Sequence, residues 1–387
     1  MFRKRAKNSI LRFLTPRGFP FVLILAVLFS SRSSTCAGSH PPVFRPDMKA
    51  LGMGGAYVAA GDNANVLVYN PALLSRVGFD LVIPSLRLRL DDNFWDVANF
   101  IVDHQEDFAH FDSLYAGQGD SASLENLEEF LEEITPYEDR WGKSRFAPMF
   151  SLSFKHFGIG IFNTTDIWIK VDKGIYNPKV YGQAVSDLVF VSGYSQPVSD
   201  KVTLGVTGKY VSRRTSGLVQ IGAANLGGTN EVLKPAYNNL RKDERGIGLD
   251  LGVLYAPKPR LDFGFVMTEV LSQIGGRSIS RNLKAGVAYR WETLPWLSLR
   301  NGVVAADVED LLFTSGDSFF KQLHVGAATT LFVFDLRAGC NRGYLSAGIG
   351  LNLYIFNIDY VYYGEELGTY PGHKAEWYHA LELAVGW

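Results

Sequence analysis

The chain has 387 residues, a formal net charge of −1 and 47% hydrophobic residues. The near-neutral balance excludes a nucleic-acid binder, which needs a basic excess to neutralise phosphates. Two cysteines, Cys36 and Cys340, exclude a disulfide framework, and 39 glycines with 26 phenylalanines and 18 tyrosines favour a turn-rich β protein with aromatic girdles over a helix bundle.

The N-terminus reads as an address. Arg3, Lys4, Arg5, Lys7, Arg12 and Arg17 precede an apolar run from Phe19 to Phe29, and small residues follow from Ser30 to Ser39. This is the order of a secretory signal peptide, assigned to residues 1–37, with Thr35 and Ala37 at the −3 and −1 positions for cleavage before Gly38. The run falls short of the roughly 20 residues that a membrane-spanning helix needs. Lipidation at Cys36 is the other reading of this stretch, but Ser33 and Thr35 match the usual lipobox poorly.

Residues 38–79 form a separate N-terminal segment. Gly52, Gly54, Gly55 and Ala56 make a small-residue cluster. No Lys-Ser/Thr ending follows it, so a phosphate-cradling loop is not supported. Glycines here let backbone pack closely, as a plug inside a narrow lumen demands. Farther on, Asn70 offers an amide to wall groups and Pro71 stiffens the chain beside it, although Asn-Pro-Ala is also an ordinary helix or turn start.

From residue 80 to 387 short segments alternate apolar with small or charged residues. Ile247, Leu249, Leu251, Val253 and Tyr255 share one face of a strand, with Gly248, Asp250 and Gly252 on the other. Leu261, Phe263, Phe265 and Met267 oppose Asp262 and Gly264, and Leu283, Ala285, Val287 and Tyr289 oppose Lys284, Gly286 and Arg290. Many segments run about 9–11 residues, the span of a tilted transmembrane strand. Tight turns alternate with long loops at 91–147, 172–184, 213–245, 270–281, 307–321 and 364–376, the asymmetry of outer-membrane barrels. Strands are expected to begin near Asp80, Pro148, Gly158, Val185, Val202, Gly246, Leu261, Asn282, Trp296, Leu323, Asp335, Leu345, Tyr354 and Trp377. The fold class is therefore all-β: a transmembrane antiparallel β-barrel of about fourteen strands. No other segment is long and apolar enough to span as a helix, so membrane insertion requires a closed barrel.

The first long loop carries helical insertions. Leu124, Leu127, Leu131 and Ile134 recur at helical spacing among five glutamates, and Phe94, Ala98 and Ile101 suggest another amphipathic turn. The acids read as a solvated face, and calcium-loop spacing is absent. Phe94, Trp95, Phe100, Phe108 and Phe111, together with Leu218, Val219 and Ile221, are candidates for an apolar capture surface. Arg87, Arg89, Lys170, Asp250, Asp262, Lys284, Arg290, Arg300, Arg337 and Glu382 are expected to face the lumen. A basic cluster led by Arg87 and Arg89 could steer a carboxylate, while the alternative is internal ion pairing. At the other end Leu381, Leu383, Val385 and Trp387 share one face of the last strand, which resembles the assembly signal read by the outer-membrane barrel assembly machinery. Seven histidines occur, but no serine motif of catalytic geometry accompanies them. No enzyme, catalytic residue, cofactor or metal is expected.

Gly52-Met53-Gly54-Gly55-Ala56, then Asp62, then Asn70-Pro71-Ala72-Leu73 resembles the start of mature FadL-type long-chain fatty-acid transporters and their relatives, including the PorV-type secretion shuttle. Gly343-Tyr344, Gly348-Ile349-Gly350, Asp359 to Tyr363 and Glu365 to Gly368 resemble the tail of uncharacterised members of that superfamily. The resemblance implies a fourteen-stranded barrel in the outer membrane of a double-membraned bacterium, with a hatch in the lumen gated through Gly52, Gly54, Gly55, Asn70, Pro71 and Ala72. It also implies passive uptake of hydrophobic or amphipathic small molecules such as long-chain fatty acids. A barrel that only binds partner proteins is the second expectation.

Overall fold

A computed structural model describes residues 47–115, 123–138, 140–174, 178–221, 229–294, 299–313 and 315–386. The signal peptide assigned to 1–37, Cys36, the first residues of the 38–79 segment and Trp387 lie outside the described residues.

Among the described residues sixteen strands form one sheet, and fourteen of them close into a ring. These are β1 (Asp80–Asp91), β2 (Gly142–Phe154), β3 (Phe157–Asp172), β4 (Lys179–Ser199), β5 (Val202–Ile221), β6 (Lys242–Lys258), β7 (Leu261–Thr268), β10 (Asn282–Leu294), β11 (Leu299–Val308), β12 (Leu323–Leu331), β13 (Phe334–Asn341), β14 (Tyr344–Leu353), β15 (Phe356–Glu366) and β16 (Ala375–Gly386). The pairs β8 (Gln273–Ile274) and β9 (Arg277–Ser278) form a short hairpin on the loop-side end of β6. Each ring strand pairs antiparallel with its neighbours, and β16 returns to β1 with Leu381 opposite Leu88 and Leu383 opposite Leu86. Closure leaves the ring itself no unpaired edge, which is what a bilayer requires.

The alternation is inverted relative to a soluble protein. Along β1, Leu86 and Leu88 are 42% and 41% exposed, while Ser85 and Arg87 are buried at 0% and 7%. The same holds on β6 and β7, where Ile247, Tyr255 and Phe265 point out and Asp250 and Asp262 point in. Apolar side chains coat the outside, and the interior combines these polar strand positions with an apolar core in which Met53, Tyr57, Leu67, Leu73 and Leu74 pack with Met149, Phe162, Val189 and Leu254.

The strand starts follow the expected order, and the chief departure is length. β4 has 21 residues and β5 has 20. At ~3.3 Å per residue each approaches ~70 Å, far more than a hydrocarbon core needs even when tilted. The expected loops at 172–184 and 213–245 therefore shrink, because β3–β6 continue as a raised wall. That wall carries the loop helices. Helices α3 (Asp92–Asp103), α4 (Gln105–Tyr115) and α5 (Ser123–Ile134) fill the first long loop, and α6 (Thr229–Asn238) lies in the fifth-strand loop. Ahead of the barrel come α1 (Met48–Gly52), α2 (Val66–Tyr69) and a 3-10 turn at Pro71–Ser75. At the loop end one connection is tight: Arg342 and Gly343 both have positive φ (53° and 91°), the requirement of a two-residue type I′ turn between β13 and β14.

Candidate functional site

Residues 47–79 touch the inward face of strands all round the ring, so the segment occupies the barrel interior. It first folds on itself. Asp47 caps α1 by accepting the Ala50 N–H at 2.8 Å, and its other oxygen accepts from the Asn63 and Asn65 amides at 2.8 and 2.6 Å. Lys49 pairs with Asp62 at 2.5 Å. Gly54 and Gly55 take φ of 64° and 89°, which turns the chain sharply after α1.

The wall then holds the segment at polar points. The Thr207 hydroxyl (β5) donates to the Leu67 carbonyl at 2.8 Å, Arg290 (β10) to Ala59 at 3.0 Å, and Ser346 (β14) to Gly52 at 3.1 Å. His324 Nδ1 (β12) lies 2.8 Å from the Gly54 carbonyl, which can only accept, so this nitrogen carries the proton. Asp307 (β11) accepts the backbone N–H groups of Tyr57 and Val58 on one oxygen, at 2.6 and 2.7 Å.

Between these points the wall is glycine. Gly205 (β5) and Gly252 (β6) face Pro71, Ala72 and the Asn70 side chain; Gly264 (β7) faces Val58; Gly326 (β12) and Gly339 (β13) face Met53. A Cβ at any of these positions would overlap backbone or the Asn70 amide. Close approach, not turn formation, therefore explains these five glycines.

Of the residues expected to gate, Gly52, Gly54 and Gly55 lie beside Arg337, Cys340 and His324 of β12 and β13. Asn70 is fully buried and does two jobs. Its oxygen caps the 3-10 turn through the Ala72 N–H at 3.2 Å, and its amide donates to Val58 at 2.8 Å and to Val253 of β6 at 3.4 Å. Pro71 sits at the first position of the turn, where its missing N–H costs nothing. The triplet is thus both a helix start and a wall contact.

The lumen charges are paired. Arg87 meets Glu382 at 2.9 Å, Arg337 meets Asp359 at 2.5 Å, and Arg213 meets Asp187 at 2.6 Å. Lys209 is shared by Asp250 and Glu269, Asp262 by Arg76 and Arg290, and Lys284 pairs with Glu309. Arg89 lies 3.6 Å from Glu365 with its guanidinium over the Tyr378 ring, and Lys170 is 3.4 Å from Asp172. Arg300 is exposed at the turn end of β11. Arg87 and Arg89 do not form a free basic cluster; carboxylates from neighbouring strands already face them.

The loop aromatics form a second core. Phe94, Phe100, Phe108 and Phe111 pack with Phe130, Leu131 and Ile134, and with Ile169, Val171, Val180 and Ile221 of the raised wall. Phe100 stacks on Phe130, His104 and Tyr137. Only Trp95, Leu218 and, in part, Val219 remain open among the eight residues considered for capture. In this state the helices bury Phe94, Phe100 and Phe108 instead of presenting them. Leu381 and Leu383 point outward on β16, and Val385 is half-buried on the same face.

Asp307, His324, Thr207, Ser346 and Arg76 were not singled out in the sequence. For Asp307, His324, Thr207 and Ser346 the available signal was an inward register position on their strands; Arg76 instead closes the 3-10 turn of the inner segment.

No family model and no curated protein sequence matches the chain. Solved structures match the fold. The Pseudomonas putida toluene transporter TodX superposes with a TM-score of 0.50 at 12% identity, covering 88% of this chain and 98% of that one. The monoaromatic hydrocarbon channel CymD gives 0.46 at 13% identity over 87% and 96%, and a Pseudomonas aeruginosa FadL homologue gives 0.42 at 10% identity over 88% and 98%. The fold, a closed fourteen-stranded antiparallel β-barrel, is that of the toluene transporter TodX.

Proposed function

We propose that this chain is an outer-membrane channel that admits hydrophobic or amphipathic small molecules, long-chain fatty acids among them, past an internal hatch formed by residues 47–79. The observation that carries the reading is a self-folded segment held by separable side-chain bonds inside a barrel whose outer surface is apolar. A hatch has to be stable when shut and detachable as a unit. Asp47 and Asn70 stabilise the segment from within, and Thr207, Arg290, Asp307, His324 and Ser346 tie it to five strands. The fold shared with TodX supports a small hydrophobic cargo. Paired lumen charges argue against an open polar pore, because carboxylates and guanidinium groups occupy one another. Secretion through the 1–37 signal and recognition of the Leu381, Leu383, Val385 face by the barrel assembly machinery would bring the chain to the outer membrane.

A non-transporting scaffold is the second reading, and one observation favours it: glycine contacts at Gly205, Gly252, Gly326 and Gly339 leave the segment no slack. Reconstituted liposomes separate the two. Uptake of a labelled long-chain fatty acid and of toluene is measured for the wild type, for Asn70→Ala and for a variant lacking 92–134. Uptake above empty liposomes, altered by Asn70→Ala, supports the channel. No binding and no uptake of either probe sinks it in favour of the scaffold.

A further inference from the structure

A groove of about 510 Å³ opens on the outer face of the barrel at its loop end, lined by Phe320, Leu323, Val325, Cys340, Tyr370 and Pro371. Its size lies within the ~300–1,000 Å³ of small-molecule sites. The back wall is β12 and β13, whose inward face holds the 47–79 segment; Val325 and Cys340 are opposite one another in the ladder and point away from it.

The side walls are two loops that are clasped together. The Ser318 N–H donates to Thr369 at 3.1 Å, and Lys321 Nζ, paired with Asp317 at 2.8 Å, donates to the Gly368 carbonyl at 2.6 Å. The second loop is fixed in turn by Glu366, whose carboxylate accepts from Gly368, His373 and Lys374 N–H groups and from the Tyr344 hydroxyl. The groove is therefore built, and its nearby acids are satisfied internally.

The surroundings identify the occupant. On the strands next in the ring Tyr362 and Trp377 stack with their rings 5.1 Å apart, and Tyr344 meets Trp377 edge-on. Such aromatics mark the level where hydrocarbon meets headgroups. The groove continues the apolar outer surface formed by Val325, Leu345 and Ile349. At its loop side stands the exposed Lys374, while Arg342 of the β13–β14 turn reaches the other way, to Glu309 at 3.5 Å.

We infer that the groove holds one acyl chain of an anionic phospholipid of the surrounding bilayer, its headgroup toward Lys374. This rests on the membrane-spanning reading above. The test reconstitutes the protein in phosphatidylethanolamine–phosphatidylglycerol vesicles, extracts it in mild detergent and counts retained lipids by native mass spectrometry. Wild type is expected to keep one phosphatidylglycerol. Val325→Trp, which fills the groove, should reduce that species at least ~10-fold, whereas Leu345→Trp, on the lipid-facing surface outside it, should not. Heat-modifiable gel mobility and protease resistance in vesicles establish that each variant has inserted, so failure to insert counts against the membrane reading and not against the groove. Equal retention by inserted wild type and Val325→Trp, or retention of added palmitate in place of phospholipid, would overturn the inference.

Discussion

Asp307→Ala tests the clasp between wall and inner segment. The native carboxylate oxygen accepts two buried N–H groups, from Tyr57 and Val58, and all three residues are almost wholly enclosed. Alanine leaves both donors without that acceptor. A buried unsatisfied donor costs about 1–3 kcal/mol, so the loss spans roughly 2–6 kcal/mol, and a water entering the vacated space moves it toward the low end. Taking ~3 kcal/mol, the population of the detached segment rises ~100-fold, at ~1.4 kcal/mol per factor of ten. Hydrogen–deuterium exchange reads this directly. The Tyr57 and Val58 amides should exchange ~100-fold faster while the β6–β7 ladder from Leu251 to Tyr255 is unchanged. Asp307→Asn, which retains a carbonyl acceptor, should give a smaller effect. If Asp307→Ala leaves the two amides as protected as in wild type, or loosens the ladder equally, the segment does not detach as a unit and the hatch argument fails.

Gly205→Val places a strand-favouring side chain where Pro71 and Ala72 approach, so exchange across 66–75 should rise while the barrel still refolds; an undisturbed 66–75 would show that the close contact is not needed. Phe100→Ala removes the centre of the loop core at a cost of about 3–5 kcal/mol. Limited proteolysis within 92–134 should accelerate with the strands resistant, and an unchanged digestion pattern would count against that core. Lys209→Met leaves Asp250 and Glu269 buried without their shared cation, for a loss of about 3–5 kcal/mol, visible as a lower urea midpoint of the vesicle-inserted barrel. Leu381→Arg puts a charge on the lipid face near mid-strand and should cost about 2–4 kcal/mol by the same urea assay; an unaltered midpoint would contradict the outward orientation.

Much of the architecture was legible residue by residue. Alternation with a period of two is a local property, so Leu86, Arg87, Leu88 and Arg89 declared their faces without knowledge of their neighbours. Fourteen such segments, many near the span of a tilted transmembrane strand, tight turns alternating with long loops, and a final strand with Leu381 and Leu383 on one face were enough to specify a closed barrel. The helical spacing of Leu124 to Ile134 likewise marked α5 in advance.

Contacts between distant parts of the chain were not legible. Tyr57 and Asp307 are 250 positions apart, and which inward side chain meets which carbonyl depends on the register of every intervening strand pair. The length of β4 and β5 was hidden because their raised ends pack against helices, not lipid, and so lose the outward apolar pattern. For the same reason Phe94, Phe100 and Phe108 read as a surface and proved to be a core. The sequence alone determined which face of each strand is lipid-coated and that a glycine-rich segment precedes the barrel. Only the tertiary structure decided that the lumen charges neutralise one another and that the segment is tied to the wall at Thr207, Arg290, Asp307, His324 and Ser346, because pairing of charges and hydrogen bonds is a property of closure and register, not of any one strand.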